Sequence, residues 1–347
     1  MNLIGPVAPS SIRSYLRLNT PTLFERTDRA RYVLREPSVL PYELDFGQSS
    51  DRYPPFRYGN STLLHGDCFD WLRHREPSSI HAVVTDPPYG LVEYSSEQQA
   101  KLRNGKGGIW RIPPSFDGSK RSPLPRFTVL KAADLKALDE FFFLWARLLG
   151  RVLVPGANVI VATNPLLSHV VSVALARAGL ERRGEIVRLV MTMRGGDRPK
   201  AAHTEFSDVS VMPRSMWEPW LAFRKQLDGR VQDNLRKWNT GGFRRPSPDR
   251  PFGDVIHSAP TRRQERAVAP HPSLKPQAFL RHLVRGVLPL GKGVVLDPFA
   301  GSGSTLAAAE AVSYRSIGLE KDEHYFAMAQ HAIPALTRLK LGHDQSL

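Results

Sequence analysis

Gly293-Val294-Val295-Leu296-Asp297, Pro298-Phe299-Ala300-Gly301-Ser302-Gly303-Ser304-Thr305 and Arg315-Ser316-Ile317-Gly318-Leu319-Glu320 read as strand, glycine-rich turn and second strand. A helix from Thr305 to about Val312 joins the two strands, so the unit is βαβ. A βαβ unit calls for a mostly parallel sheet with helices on both faces. Gly301 and Gly303 let the backbone approach a ligand closely, and the helix that follows offers free N–H groups to an anionic group. Glu320 ends the second strand, where an acidic side chain can accept hydrogen bonds from ribose hydroxyls. The dinucleotide fingerprint G-x-G-x-x-G fails because position 306 is leucine, and no G-K-[ST] phosphate loop is present.

The same alternation runs through the earlier chain. Strands are expected at 61–67, 80–85, 158–163, 185–193 and 220–224, and helices from 68 to 74, over 132–149 and over about 166–179. The strand 80–85 runs into Asp86-Pro87-Pro88-Tyr89, where two prolines forbid its continuation. The chemistry of this turn suits an exocyclic amine such as that of adenine, whose lone pair is conjugated into the ring. Asp86 and the Pro87 carbonyl can accept both amino hydrogens and stabilise positive charge developing on nitrogen. Pro87 and Pro88 hold that carbonyl rigidly, and Tyr89 offers a face on which an extruded base can stack.

The formal net charge of +15 and pI near 10.2 favour a polyanionic partner, foremost nucleic acid. Residues 91–130 and 226–268 each net +4, and both interleave basic residues with aromatics that can grip phosphates and stack on bases. Cys68 is the single cysteine, which leaves no internal disulfide and fits a reducing compartment; it reads as a small buried hydrophobe. The N-terminus lacks an apolar leader and no run approaches the length of a membrane span, so a cytoplasmic protein without a membrane partner is expected.

Taken together, the motifs closely resemble the β class of amino-methylating DNA methyltransferases. That family places a catalytic D/S-P-P-Y/W motif first, a target-recognition region next and an F-x-G-x-G cofactor motif last. Here the order is Asp86 to Tyr89, a variable middle, then Phe299 to Gly303. His271-Pro272-Ser273-Leu274-Lys275-Pro276 resembles the family's H-P-x-x-K-P signature, and Gly66-Asp67 its turn near the cofactor's adenine. The resemblance spans roughly residues 60–340. It implies a class I methyltransferase (Rossmann-like) α/β fold, circularly permuted, with a seven-stranded mostly parallel sheet and a small target-recognition insertion.

It also implies S-adenosylmethionine as donor, no metal and direct attack of the amine on the sulfonium methyl. The catalytic residues implied are Asp86, Pro87, Pro88 and Tyr89; those at the cofactor are Asp67, Lys275, Asp297, Phe299, Gly301, Gly303, Thr305 and Glu320. Lys275 is expected at the methionine carboxylate, Phe299 along the cofactor, and Asp297 either at the glycine turn or at the methionine amine. His271 is expected in a structural or cofactor-edge role. Arg244 and Arg245 are the expected DNA contacts. Residues 1–58 form an extension, 59–225 the catalytic half with the basic insertion 91–130, 226–268 the recognition region, 269–340 the cofactor half and 341–347 a tail.

An aspartate at position 86 leans towards adenine N6 in duplex DNA, since cytosine-N4 members more often begin the motif with serine. Cytosine N4 is the alternative; RNA methylation and a silent nucleic-acid-binding protein are weaker ones. A homodimer and a cognate restriction endonuclease are the further partners left open.

Overall fold

The computed structural model describes residues 24–28, 31–34, 53–88, 132–194, 199, 202–211, 213, 215–271 and 273–341. Tyr89 and the insertion 91–130 lie outside the described residues. Within Met1–Asp45, a compact unit by itself, strands β1 (Phe24–Asp28) and β2 (Arg31–Leu34) pair antiparallel.

The second unit, Phe46–Leu347, is built on a nine-stranded sheet. In chain order its strands are β3 (Pro55–Tyr58), β4 (Ser61–His65), β5 (Ile80–Thr85), β6 (Leu153–Ala162), β7 (Glu181–Arg194), β8 (Ser215–Arg224), β9 (Val255–His257), β10 (Val294–Asp297) and β11 (Arg315–Glu320). They lie side by side as β3-β4-β11-β10-β5-β6-β8-β7-β9. Strands β4, β11, β10, β5 and β6 are mutually parallel, β8 runs against them, and β7 and β9 return to the common direction. The expected class I sheet is therefore present, widened by two edge strands. The expected extension loses its last residues to the sheet, because 55–58 pair antiparallel with 61–64 as β3.

Side chains alternate between two cores, as the period of a strand requires. Val159 and Val161 of β6 and Leu221 and Phe223 of β8 face one side. There they meet α1 (Cys68–His74), α2 (Ala132–Val152) and α3 (Ser168–Arg177). On α2, Leu138, Phe142, Trp145 and Leu149 recur at helical spacing and are buried. Burying a side chain such as Phe142 stabilises the fold by about 1.5–3 kcal/mol. On the other side, Ile160, Ala162, Trp220 and Ala222 pack on α6 (Gln277–Val287) and α7 (Ser304–Ala311). Three further helices, α4 (Val231–Trp238), α5 (Arg263–Val268) and α8 (Glu323–Thr337), complete the described elements. None of the helices among the described residues is long and apolar enough to cross a membrane.

Candidate active site

Open α/β sheets bind ligands outside the carboxyl ends of their strands, where the strand order reverses. Here β10 lies between β11 and β5, and the carboxyl ends of β10 and β5 are tied together by a hydrogen bond. Thr85 Oγ1 donates to Asp297 Oδ1 at 2.7 Å. The same oxygen accepts the Phe299 backbone N–H at 3.2 Å, and Thr305 is a third hydrogen-bond partner of the carboxyl. Asp297 thus joins the carboxyl end of β5 to the glycine turn. Burial pushes its carboxyl up to about 6 against the pull of those donors.

The turn itself needs glycine. Gly301 and Gly303 have φ of 51° and 77°, in the left-handed region. Gly301 N–H donates to Glu320 Oε2 at 2.7 Å, and Asp322 N–H to Oε1 at 2.8 Å. Each Glu320 oxygen keeps lone pairs for further donors. Burial raises this carboxyl above its usual range, against the two N–H groups that lower it. The Gly66 N–H bonds the Glu320 carbonyl at 2.9 Å, which brings the Gly66-Asp67 turn beside it. Asp67 caps α1 through the Phe69 N–H at 2.8 Å and pairs with Lys321 at 2.9 Å.

Two other expected residues lie beside the turn. Phe299 rests against Phe141 and Trp145, with ring centroids at 6.1 and 5.9 Å, so it anchors the turn to α2. His271 accepts the Ser273 N–H on Nδ1 at 3.2 Å, and its ring meets Tyr325 edge-on at 4.5 Å. Burial and the charge of Lys275 push its pKa down to about 4. A neutral ring wedged in this way is a structural support for the turn.

Asp86 follows β5 directly. Its carboxylate lies 2.8 Å from Lys275 Nζ, and Lys275 also lies 3.2 Å from Glu218 Oε1. Burial pulls the Lys275 ammonium down, but Asp86 and Glu218 outweigh it and raise the pKa, so the group stays charged. The loop bearing Lys275 is pinned by Glu265, also buried. The Glu265 carboxylate accepts N–H groups from Arg262 and Gln277, each at 2.7 Å. Thr261 Oγ1 donates to the Leu274 carbonyl at 2.8 Å.

Glu218, Arg188 and Glu265 are not legible in the sequence as site residues, since none of them belongs to a recognisable motif. A charged residue inside an apolar strand, as at Arg188 and Glu218, is the available signal. Cys68 is buried, and burial pushes its thiol up, as suits a core residue rather than a nucleophile.

Arg244 and Arg245, the expected DNA contacts, do not lie beside Asp86. The Arg244 guanidinium donates to the Tyr314 hydroxyl at 2.8 Å, and its backbone N–H donates to the Gly286 carbonyl, also at 2.8 Å. Tyr314 immediately precedes β11, so Arg244 sits at the amino ends of the strands, the opposite edge from Asp86. Arg245 donates to the Pro248 carbonyl, and its own carbonyl accepts from Arg285. Residues 226–245 as a group pack there: Asn158 Nδ2 on β6 donates to the carbonyls of Gly242 and Val287 at 2.8 and 2.9 Å. At the Asp86 edge emerge instead the connections after β5, between β7 and β8, and after β9.

Strand order and glycine turn together define the class I methyltransferase fold. The chain belongs to the N6_N4_Mtase family, DNA methylase, whose model matches residues 80–331. It is similar to the type II methyltransferase M2.DpnII of Streptococcus pneumoniae, 24% identical over 288 residues that cover 81% of this chain and 92% of that protein. The type II methyltransferase M.HindIII of Haemophilus influenzae is 24% identical over 291 residues, 77% of this chain and 93% of its own. Among solved structures, the PvuII DNA methyltransferase (cytosine-N4-specific) matches with a TM-score of 0.52 at 14% identity, covering 81% of this chain and 87% of that one. That likeness supports the fold.

Proposed function

We propose that the protein methylates the N6 amino group of adenine in duplex DNA, with S-adenosylmethionine as donor. The observation that carries the reading is the Asp86 carboxylate at the carboxyl end of β5, in one crevice with the glycine turn of β10. The residues at this edge of the sheet fit the donor. Gly301 and Gly303 give the turn its left-handed backbone, and Glu320 offers a half-buried carboxylate acceptor at the end of β11. When bound, S-adenosylmethionine supplies a sulfonium methyl group to the attacking amine.

The chain's own groups do the rest. Asp86 and the Pro87 carbonyl accept the amino hydrogens and stabilise the positive charge that grows on nitrogen. A duplex base must leave its stack to reach them. DNA approaches the carboxyl edge of the sheet, where the β7–β8 connection carries exposed Phe206, Val209 and Val211. The type II relatives support a restriction-modification role beside a cognate endonuclease.

Nucleosides from DNA exposed to enzyme and donor are expected to contain N6-methyladenine by mass spectrometry. N4-methylcytosine would overturn the base assignment, and no methylated nucleoside the activity. Glu320→Ala is expected to weaken S-adenosylmethionine binding by about 1.5–3 kcal/mol, because the ribose hydroxyls lose a charged acceptor. Calorimetry showing parental affinity would remove Glu320 from the cofactor site.

A further inference from the structure

Four ionisable side chains alternate in sign behind the catalytic turn. Inward from the catalytic turn they are Asp86, Lys275, Glu218 and Arg188, linked by contacts of 2.8, 3.2 and 2.9 Å. Their side chains are 16, 10, 8 and 3% exposed, so the chain runs from the crevice into the interior. Its inner end is clamped. Arg188 Nε donates to Ser258 Oγ at 3.1 Å, Nη2 to the Ala259 carbonyl at 3.3 Å, and the guanidinium lies 5.3 Å from the Phe279 ring centroid. Trp220 Nε1 donates to Glu218 Oε1 at 3.1 Å, so that oxygen is held from two sides. Arg188 and Glu218 are directly opposed in the β7–β8 ladder, so the sheet fixes the backbone of both.

We infer that Glu218 and Arg188 are positioning residues for methyl transfer, acting on the Asp86 carboxylate through Lys275. The inference rests on the methyltransferase reading above. A buried ion pair is a poor source of stability compared with well-packed apolar residues, so stability alone does not explain four buried charges in line. Their arrangement explains them better. The chain is neutral as a whole and presents its negative end, Asp86, to the position where an amine becomes cationic. In a poorly screened interior each charge acts on the next. The charged groups bearing on Asp86 are Lys275 from the loop before α6, Glu218 from β8, Arg188 from β7 and Asp297 from β10. Lys275 has both carboxylates as partners, which makes it the coupling group rather than a ligand of the methionine carboxylate.

The test is single-turnover methyl transfer against pH at saturating donor. Lys275→Met removes a positive charge beside Asp86, so the acid limb of the rate should move to higher pH by about half a unit or more. Glu218→Gln removes a negative one and should move the limb to lower pH. The charge-neutral double variant should return it towards the parent, while each single variant loses roughly tenfold in plateau rate. S-adenosylmethionine affinity should stay within about threefold in all three. Limbs that do not move, or move in the same direction, would overturn the proposal. So would Lys275→Met weakening donor binding by about tenfold or more with an unmoved limb, the signature of a cofactor ligand.

If Lys275→Met does not fold, Glu218→Gln alone decides, since an unmoved limb is then the contrary result. A second arm needs no turnover. Urea unfolding of Lys275→Met, Asp86→Asn and the pair should show the double variant unfolding at higher urea than Lys275→Met alone, because the neutral amide relieves the two carboxylates left facing each other. Strictly additive midpoints would overturn the coupling, whereas a parent enzyme that transfers no methyl to DNA would overturn the functional reading instead.

Discussion

Asp86→Asn is expected to lower single-turnover methyl transfer on the order of a hundredfold or more, with S-adenosylmethionine affinity little changed. The amide keeps the shape of the side chain but loses the charge that balances the developing ammonium. It also places an NH₂ donor where one oxygen should accept an amino hydrogen. In the free enzyme the substitution leaves Lys275 with Glu218 as its remaining carboxylate partner among those two. The donor affinity is expected to be spared because the proposed donor residues lie on separate elements, the β10 turn and the end of β11. Rapid-quench transfer of labelled methyl to duplex DNA, with calorimetry for the donor, checks both halves; rates close to the parent would remove Asp86 from the reaction.

Gly303→Ala is expected to destabilise the second unit by about 2–5 kcal/mol. Two separate costs contribute. At φ 77° an L-residue is strained by about 1–2 kcal/mol. The added Cβ would also stand 2.4 Å from Ile333 Cγ1 and 2.8 Å from its Cδ1, with Ala329 Cβ at 3.3 Å, an overpacking cost of about 1–3 kcal/mol. Ile333 and Ala329 are buried on α8, so neither can yield freely. Gly301→Ala is the contrast, since its Cβ would meet the His271 ring at 3.1 Å, close but not overlapping. Urea unfolding should show the larger loss at position 303, and a parental midpoint there would mean that α8 moves aside.

Much of the fold was readable because its signals are local. The apolar run 80–85 and the two strands flanking the glycine turn appear where expected, as β5, β10 and β11. Asp86 and the glycine turn could be found because prolines and glycines constrain the backbone within a few residues. The edge strands β3 and β9 were not readable. They are four and three residues long, too short for periodicity to register, and exist because a neighbouring strand offers unpaired N–H and C=O groups.

Charge density did not place Arg244 and Arg245 within the fold. Net charge along the chain says how basic a segment is, but not which end of the sheet receives it. That depends on where Tyr314 and Gly286 lie in space.

The amino-acid sequence alone determined the α/β class, the permuted order of motifs, and the positions of the carboxylate and the glycines on which the proposed reaction rests. These are properties of short stretches, set by backbone sterics and strand periodicity. Tertiary structure alone decided that Lys275 faces Asp86, that Glu218 and Arg188 stand behind it, and that the arginine pair lies at the far edge. Asp86, Arg188, Glu218 and Lys275 come from four segments far apart along the chain. They meet because strand pairing and the Glu265 anchor bring those segments together, and buried charges find opposite partners because leaving them unpaired costs too much.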